Sequence, residues 1–361
     1  MTRRGREALC PRRLFATFFL LAFLAPAQTA APWPEADRLF HSDPRWLGAD
    51  AAFSVDLGRG RVLWLFGDSF VAARSGDTRR QSRMARNTVA IQTGYDPSTA
   101  SIRFYWRDRG SGSFFPDEAP TWFWPSHGVR LGDRLLLFYN IVKPHGPPGP
   151  FAFQEDGTVA FLIANPDDEP ARWTIQKVPL PPNPWHMLIG IAVVREGDLL
   201  YLWAADEPRQ DAYLLRAPAA KLAAGDFSAL EWWCGAKLFW RRQNQTGGPP
   251  ERVFTPGSTE FSVHYDAARR RYLQVQSLGF GGSDLRLRTA AQLTGPWTPL
   301  EKLYRPPESD QPGALVYAGK AHPELTGADL IITYAVNAPD DRLASDLSIY
   351  FPRFVRVRLE P

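Results

Sequence analysis

"GADAAFSVDLGRGRVLWLFGDS" (residues 48–69) contains two apolar segments separated by a short polar turn. Apolar runs of this length predict two β-strands, and the glycines between them favour a tight hairpin turn. The same order of strand, polar turn and strongly apolar second strand recurs at 124–140, 189–206, 259–277 and 318–336. Five copies at a spacing of roughly sixty residues predict a five-bladed β-propeller.

The composition of the whole chain agrees with an all-β fold. Of its 361 residues, 13% are aromatic, 33 are prolines and 28 are glycines, and no long segment repeats apolar residues at helical spacing. This pattern is typical of all-β proteins, with residues 79–86 and 217–226 as the best candidates for short helices. A β-sandwich or a pair of small β-domains is the alternative architecture, but no proline-rich linker divides the chain.

The N-terminal segment has the pattern of a secretory signal peptide. Five arginines precede the apolar run 14–24, and the small residues "APAQTAA" (25–31) offer cleavage sites of the A-x-A type. We therefore predict a cleaved signal peptide over residues 1–31 and a single five-bladed propeller domain over 32–361, in a secreted or periplasmic protein. The pair Arg12-Arg13 resembles a twin-arginine export signal.

Removal of residues 1–31 changes the charge of the chain. It takes away five arginines and one glutamate, which leaves 37 basic and 37 acidic residues and lowers the net charge from +4 to 0. A nucleic-acid partner loses its support, because such binding needs a basic surface. No later apolar run could anchor the protein in a membrane, and Cys234 is the one cysteine left, so no internal disulfide can form. We expect a monomer.

In a propeller, the innermost strands of all blades converge on one end of a central channel. The residues near the starts of the five inner strands are polar or aromatic: Asp50, Trp124 with His127, Trp185 with His186, Glu260, and Lys320 with His322. Taken singly, such an aspartate is more often a turn residue, and such a tryptophan more often belongs to the core. Their recurrence at equivalent positions predicts a functional site.

Asp68 joins this set if the second strand of the first hairpin returns beside Asp50, since alternation along residues 63–68 allows both carboxylates to face one rim. Paired carboxylates in an aromatic pocket are typical of enzymes that cleave glycosidic bonds. We assign Asp50 and Asp68 as base or nucleophile and its partner, and Glu260 as the candidate acid. A partly apolar pocket with a neighbouring charge can keep one acid protonated and another ionised.

Further side chains suit a sugar ligand. Trp122, Trp124 and Trp185 offer flat apolar faces, and the candidate hydrogen-bonding residues are Arg86, Asn87, His127, His186, Lys320 and His322. His127, His186 and His322 could meet around a metal, but histidines that satisfy hydrogen bonds are the simpler interpretation, so we predict no metal and no cofactor. Motifs of acyl hydrolases, zinc proteases, NTPases and redox proteins are missing from the sequence, as are the Asp-box repeats of sialidases.

Two other functions fit the same architecture. A non-catalytic carbohydrate-binding propeller would use the aromatic and hydrogen-bonding residues without needing paired acids, which is why the acids favour an enzyme. A phosphate-dependent glycoside phosphorylase would use Lys320, Arg86 and His322 to hold phosphate.

Several motifs together resemble a known family. They are "GAD" (48–50) leading to "LFGDSF", "RNTVA" (86–90), "FFPDE" with "WFWPSHG", "EFSVHYD", "LTGPW", "KAHPEL" and "YFPRFVRV" (350–357). These stretches, spread from about residue 40 to the C-terminus, resemble a bacterial family long catalogued as a domain of unknown function, which includes endo-D-arabinanases that cut mycobacterial cell-wall arabinan.

The resemblance implies a five-bladed propeller and a polysaccharide substrate similar to D-arabinan. It implies catalytic roles for Asp50 and Asp68 first, and for Glu260 next. The chain departs from the usual family pattern at Ser69, where threonine is common, and in the loop "NPWHM" (183–187). The serine keeps the hydroxyl group, whereas the loop suggests a different sugar, and fold alone does not identify a substrate.

Overall fold

Antiparallel β-sheets form the framework of the structure. The computed structural model describes residues 29–149, 151–206, 209–279, 281, 283–326, 330–338 and 341–359. The first strands are β1 (Thr29–Pro32), β2 (Trp46–Ala49), β3 (Phe53–Gly58), β4 (Arg61–Phe66), β5 (Ser69–Val71), β6 (Arg83–Ala85), β7 (Thr88–Thr93) and β8 (Ser101–Tyr105). The next are β9 (Trp122–Leu131), β10 (Arg134–Pro144), β11 (Phe153–Ile163) and β12 (Ile175–Pro179).

The second half of the chain continues in the same way. Its strands are β13 (Leu188–Glu196), β14 (Leu199–Ala205), β15 (Ala212–Pro218), β16 (Glu231–Trp233), β17 (Trp240–Arg242), β18 (Phe261–Asp266), β19 (Arg271–Ser277), β20 (Leu285–Ala290), β21 (Glu301–Tyr304), β22 (Leu315–Ala321), β23 (Leu330–Asn337) and β24 (Arg353–Arg358). The α-helices are short: α1 (Pro34–Asp37), α2 (Ala219–Ala223), α3 (Gly235–Leu238) and α4 (Arg342–Ser345).

The strands of the described residues form six sheets. Sheet I has the order β3-β4-β7-β8, sheet II β9-β10-β11-β12, sheet III β13-β14-β15-β16-β17, sheet IV β18-β19-β20-β21 and sheet V β22-β23-β24-β1. A smaller sheet contains β2, β5 and β6. The chain is therefore all-β, as the composition predicts.

Each repeated hairpin of the sequence forms the first two strands of one large sheet. The pairs β3–β4, β9–β10, β13–β14, β18–β19 and β22–β23 are all antiparallel neighbours. The first strands also touch one another in chain order, β3 with β9, β9 with β13, β13 with β18 and β18 with β22. Sheet V returns to sheet I, because His322 Nδ1 lies 2.5 Å from Ser54 Oγ and the Lys320 ammonium donates to the Ala51 carbonyl.

The apolar core lies between successive sheets. Strand β4 shows why its sequence is so apolar: Val62, Trp64 and Phe66 pack into a cluster with residues of sheet V, whereas Leu63 and Leu65 pack into a cluster with sheet II. A strand that is buried on both faces needs continuous apolar residues instead of alternating ones. Burying each such side chain contributes about 1.5–3 kcal/mol to stability.

The predicted helix at 217–226 is present as α2, but the predicted helix at 79–86 is wrong. Residues Arg79–Gln81 form a 3₁₀ turn and residues Arg83–Ala85 form β6. The buried Arg79 guanidinium donates to backbone carbonyls, including Leu47 O at 2.8 Å and Leu343 O at 2.9 Å. Tertiary contacts of this kind override a weak local preference for helix.

The N-terminal strand completes sheet V. Strand β1 pairs with β24 from Thr29 opposite Arg358 to Pro32 opposite Val355. Most of the segment predicted as a signal peptide, residues 1–28, lies outside the described residues. Of the helices that the structure does describe, none has the length and hydropathy needed to cross a bilayer.

Candidate active site

A cavity of about 640 Å³ opens where the inner strands of the sheets begin. Residues of sheets or loops across the whole chain line it, among them Asp50, Asp68, Arg86, Trp122, Trp124, Glu155, Gln210, Glu260, Tyr317 and Tyr350. Asp50, Asp68 and Glu260, which we call the carboxylate cluster, lie next to the ends of strands of sheets I and IV. The fold therefore gathers all three acids that the sequence singled out.

The first hairpin brings Asp50 and Asp68 together. Asp50 precedes β3, Asp68 follows β4, and the Gly67 N–H donates to the Asp50 carbonyl at 3.2 Å. A Cβ atom at position 67 would collide with the Asp50 carboxylate. Glycine at this position thus gives the carboxylate room beside the backbone of the returning strand.

Asp50 is held by two tyrosines in a buried, negatively charged environment. Tyr317 Oη donates to Asp50 Oδ2 at 2.7 Å and Tyr350 Oη donates to the same oxygen at 3.2 Å. Burial, together with the charges of Asp68 and Glu260, raises the pKa of Asp50 to about 7, and the two hydrogen bonds oppose this rise. Asp50 can therefore carry a proton near neutral pH.

Asp68 has partners that favour its ionised form. Arg86 Nη1 lies 3.1 Å from Asp68 Oδ2, and Trp124 Nε1 donates to Asp68 Oδ1 at 2.9 Å. The pKa of Asp68 is raised overall, because burial outweighs the Arg86 charge and the Trp124 hydrogen bond, which lower it. The two aspartates thus have different partners. Two hydroxyl groups bind Asp50, whereas a guanidinium group and an indole N–H bind Asp68.

Glu260 is paired with a buried cation. Lys320 Nζ lies 2.9 Å from Glu260 Oε2 and also donates to the carbonyls of Ala318, at 2.7 Å, and Ala51. Burial lowers the pKa of Lys320, whereas the charges of Glu260 and Asp50 favour its protonated form. The lysine therefore fixes Glu260 to the backbone that surrounds Asp50.

The backbone around Asp50 is strained. Ala51, Ala52, Ala318 and Tyr350 have φ values of 64°, 54°, 57° and 64°. Residues other than glycine adopt this region at a cost of about 1–3 kcal/mol each, and such residues concentrate at functional sites. The strain supports a functional role for this end of the sheets.

An aromatic wall lines the cavity beside Asp68. It consists of Trp122, Trp124, Phe151 and Phe153, with Trp124 and Phe153 in edge-to-face contact at 4.6 Å and the Arg86 guanidinium 4.6 Å from the centre of the Trp122 ring. Phe151 is 58% exposed. Flat apolar faces beside carboxylates suit a ligand with both C–H surfaces and hydroxyl groups.

Six other residues predicted for the site lie outside the cavity. They are Asn87, His127, Trp185, His186, Lys320 and His322. Asn87 is fully buried and bonds the backbone of Phe115 and Phe123, because its amide satisfies the loop that follows sheet I. Trp185 packs edge-to-face on Trp232, and His186 is exposed on the loop before β13.

His127 and His322 lie deeper between the inner strands, near His264, and we call these three residues the histidine cluster. Val193 N–H donates to His127 Nδ1 at 3.0 Å, so Nε2 carries the proton that is donated to Ser54 O at 3.1 Å. His322 lies between the hydroxyl groups of Ser54 and Thr333. His186 is not part of this cluster, and no group of three metal-ligating side chains occurs among the described residues.

Sequence reasoning missed several residues of the cavity, three of which carry ionisable side chains. Tyr317 and Tyr350 bind Asp50, and Glu155 accepts a hydrogen bond from Asn140 Nδ2 at 2.8 Å. Tyr317 stands just before the fifth hairpin, as Trp124 stands at the start of the second, so the repeat contained a signal for it. Tyr350 and Glu155 reach the cavity through contacts between distant segments, which no local sequence pattern indicates.

Known proteins that resemble the chain give it a fold and a family. A candidate hydrolase from Bacteroides ovatus has a TM-score of 0.70 at 17% identity, over 91% of this chain and 90% of that chain. A GH62 α-L-arabinofuranosidase catalytic domain from Coprinopsis cinerea gives 0.47 at 13%, over 88% and 92%. An endo-arabinase from Bacteroides thetaiotaomicron gives 0.45 at 14%, over 87% and 95%.

The structural similarity to the Bacteroides ovatus protein shows that the two chains share a fold. No curated protein sequence matches the chain. The family model described as "Domain of unknown function (DUF5005)" matches residues 35–359, which is nearly the whole of the described structure. The chain therefore belongs to the DUF5005 family.

Proposed function

We propose that this protein is an exported glycoside hydrolase that cleaves a furanose-containing polysaccharide similar to D-arabinan. The observation that carries the proposal is the carboxylate cluster, in which two aspartates with different partners share a cavity with an aromatic wall. Glycosidases need one carboxyl group that holds a proton and one that is ionised. The motifs that resemble endo-D-arabinanases support the choice of substrate.

Asp50 is our candidate for the general acid. Its pKa of about 7 lets it hold a proton at the pH where many hydrolases work, and the proton would pass to the leaving-group oxygen. Glu260, the acid suggested by the sequence, is engaged in an ion pair with Lys320 at 2.9 Å. We therefore assign the proton to Asp50, and we assign Glu260 the task of raising the pKa of Asp50 through its charge.

Asp68 is our candidate for the base or nucleophile. Arg86 and Trp124 orient both of its oxygens, and both partners line the cavity. An ionised carboxylate held in this way can activate water or attack the sugar carbon directly. Trp122, Trp124 and Phe153 would cover one face of the bound sugar.

Hydrolysis fits the cavity better than phosphorolysis. Of the three residues that a phosphorylase would use, Arg86 is paired with Asp68, Lys320 is paired with Glu260, and His322 is buried away from the cavity. We also propose that sheets I to V are the blades of a five-bladed propeller. The first strand of each sheet contacts the first strand of the next, and the segment after β22 contacts β3 of sheet I.

A polysaccharide panel that includes D-arabinan tests the proposed function. Reducing ends should appear with at least one substrate, at a rate that added phosphate does not change. Asp50→Asn and Asp68→Asn should each lower that rate by about a thousandfold, which corresponds to roughly 4 kcal/mol. Asp133→Asn, in the exposed turn of the β9–β10 hairpin, is the matched control and should retain the full rate.

Three results would contradict this assignment. Rates within a few-fold of the wild type in both variants would remove the two aspartates from catalysis. Binding of several glycans without cleavage would show a lectin instead of an enzyme. Turnover that requires phosphate would show a phosphorylase.

A further inference from the structure

A second groove, of about 580 Å³, lies beside sheet IV. Apolar side chains of Phe254, Pro256, Trp297 and Leu300 form much of its wall, and two arginines reach it from β20. Leu278 lines this groove, while its neighbours Ser277 and Gly279 line the carboxylate cavity. The groove therefore borders the candidate active site without sharing its acids.

Arg288 is the buried cation of the groove. It is 2% exposed, and its guanidinium lies 4.4 Å from the centre of the Phe254 ring. Nη2 donates to Pro256 O at 2.6 Å, Nη1 reaches Thr255 O at 3.5 Å, and Nε is buried without a hydrogen-bond partner. Among the described residues no carboxylate contacts Arg288, and burial lowers its pKa to about 10. A buried cation without a counter-charge is unfavourable, so an anion would stabilise it.

Arg286 adds a second cation on the same face of the strand, because residues two apart on a strand point the same way. Its Nη2 lies 3.4 Å from Asp284 Oδ2, and its Nε is also buried without a partner. Asp284 is shared with Lys302, at 3.6 Å, and Arg305, at 2.9 Å. Arg305 also pairs with Asp310, at 2.6 Å. Two carboxylates thus face three cations, and Arg288 adds a fourth, so the region keeps an excess of positive charge.

The chemistry of the walls identifies the class of ligand. Guanidinium groups are planar donors that match carboxylates and phosphates. The half-buried Trp297 and the neighbouring Leu300 provide apolar surface for the flat face of a ring. We propose that this groove binds the carboxylate of an acidic sugar, such as a uronic acid residue of a glycan. The proposal does not depend on hydrolysis in the carboxylate cavity.

Isothermal titration calorimetry on the intact protein tests this site with three probes: trigalacturonate, the uncharged trimer of galactose with the same linkage, and inorganic phosphate. Trigalacturonate should bind, and neither other probe should reach its affinity. Arg286→Gln should weaken trigalacturonate binding about tenfold, as expected for the loss of one charge-assisted contact. Arg271→Gln, on the adjacent strand outside the groove, is the matched control and should bind normally.

Leu300→Asp provides a second variant, since it places a negative charge in the groove and leaves both arginines intact. Leu300→Asp should weaken the binding of trigalacturonate at least as much as Arg286→Gln does. The proposal is wrong if trigalacturonate does not bind, if phosphate binds equally well, or if the neutral trimer binds equally well. It is also wrong if Arg271→Gln causes the same loss as Arg286→Gln. Because these are binding measurements, they can succeed even if no glycan is cleaved.

Discussion

The carboxylate cluster and the histidine cluster share the inner strands but differ in what surrounds them. Glu260 lies just before β18 and His264 lies within it, four residues later. Asp50, before β3, and Ser54, within β3, have the same spacing. The acids face a large cavity, whereas His127 and His322 are engaged by backbone and hydroxyl groups. Because a strand rises about 3.3 Å per residue, four residues are enough to place the acids at the cavity and the histidines in the interior between the sheets.

The largest expected effect is the difference in kcat between substitutions of Glu260 and of His264. Glu260→Gln removes a negative charge beside Asp50 and the partner of Lys320, so we expect a loss of about a hundredfold or more in kcat. The pKa of Asp50 should fall, because Glu260 helps to raise it, and the alkaline limb of the pH–rate profile should move to lower pH. His264→Gln should keep kcat within about threefold, and a similar loss in both variants would remove the distinction.

Stability should respond to pH in opposite directions at the two clusters. Asp50 has a folded-state pKa of about 7, above its usual 3.8, so its contribution is full below pH 3.8 and is lost as the pH rises to 7. The melting temperature of Asp50→Asn relative to the wild type should therefore increase by several degrees between pH 4 and pH 7. A constant difference across that range would show that Asp50 titrates normally.

His127 gives the opposite slope. Burial lowers its pKa from 6.5 to about 4, so the wild type loses stability as the pH falls from 6.5 to 4 and unfolded chains take up a proton. His127→Gln should therefore lose less stability than the wild type over this window. Thermal melts at pH 7, 5.5 and 4.5 measure the difference, and parallel curves for the two proteins would contradict it.

The indole hydrogen bond to Asp68 should have a smaller effect on rate. Trp124→Phe keeps an aromatic wall but removes the donor to Asp68, so kcat should fall about tenfold, or roughly 1.4 kcal/mol. The pKa of Asp68 should rise, which moves the acid limb of the profile to higher pH. Trp185→Phe is the control, because Trp185 lies outside the cavity and packs on Trp232, so its rate should change little.

The smallest effect is expected at the histidine cluster. Ser54→Ala removes the hydroxyl beside His322 Nδ1 and should cost about 1 kcal/mol of folding free energy. In a domain of this size that lowers the melting temperature by about 2 °C. The kcat of the folded enzyme should stay unchanged, and a marked fall in kcat would extend the active site to this depth.

The sequence predicted local structure better than it predicted the depth of side chains. The five hairpins follow from turn residues and apolar runs, which act over short distances. The acids Asp50, Asp68 and Glu260 were found because each stands next to a strand end. His127 and His322 were grouped with Trp124 and Lys320, because spacing along the chain does not reveal which residues a neighbouring sheet will cover.

Strand β1 has a consequence for the order of assembly. Sheets II to IV are each built from one continuous segment, so they can form as soon as that segment is free. Sheet V needs Thr29–Pro32 from one end of the chain and Arg353–Arg358 from the other. We expect closure of this sheet to be a late event, since contacts between distant segments form slowly. Signal-peptide cleavage after Ala27, at "APA" (25–27), would keep strand β1. Cleavage after Ala31 would remove most of β1 and leave β24 as an unpaired edge strand, which favours association with other chains.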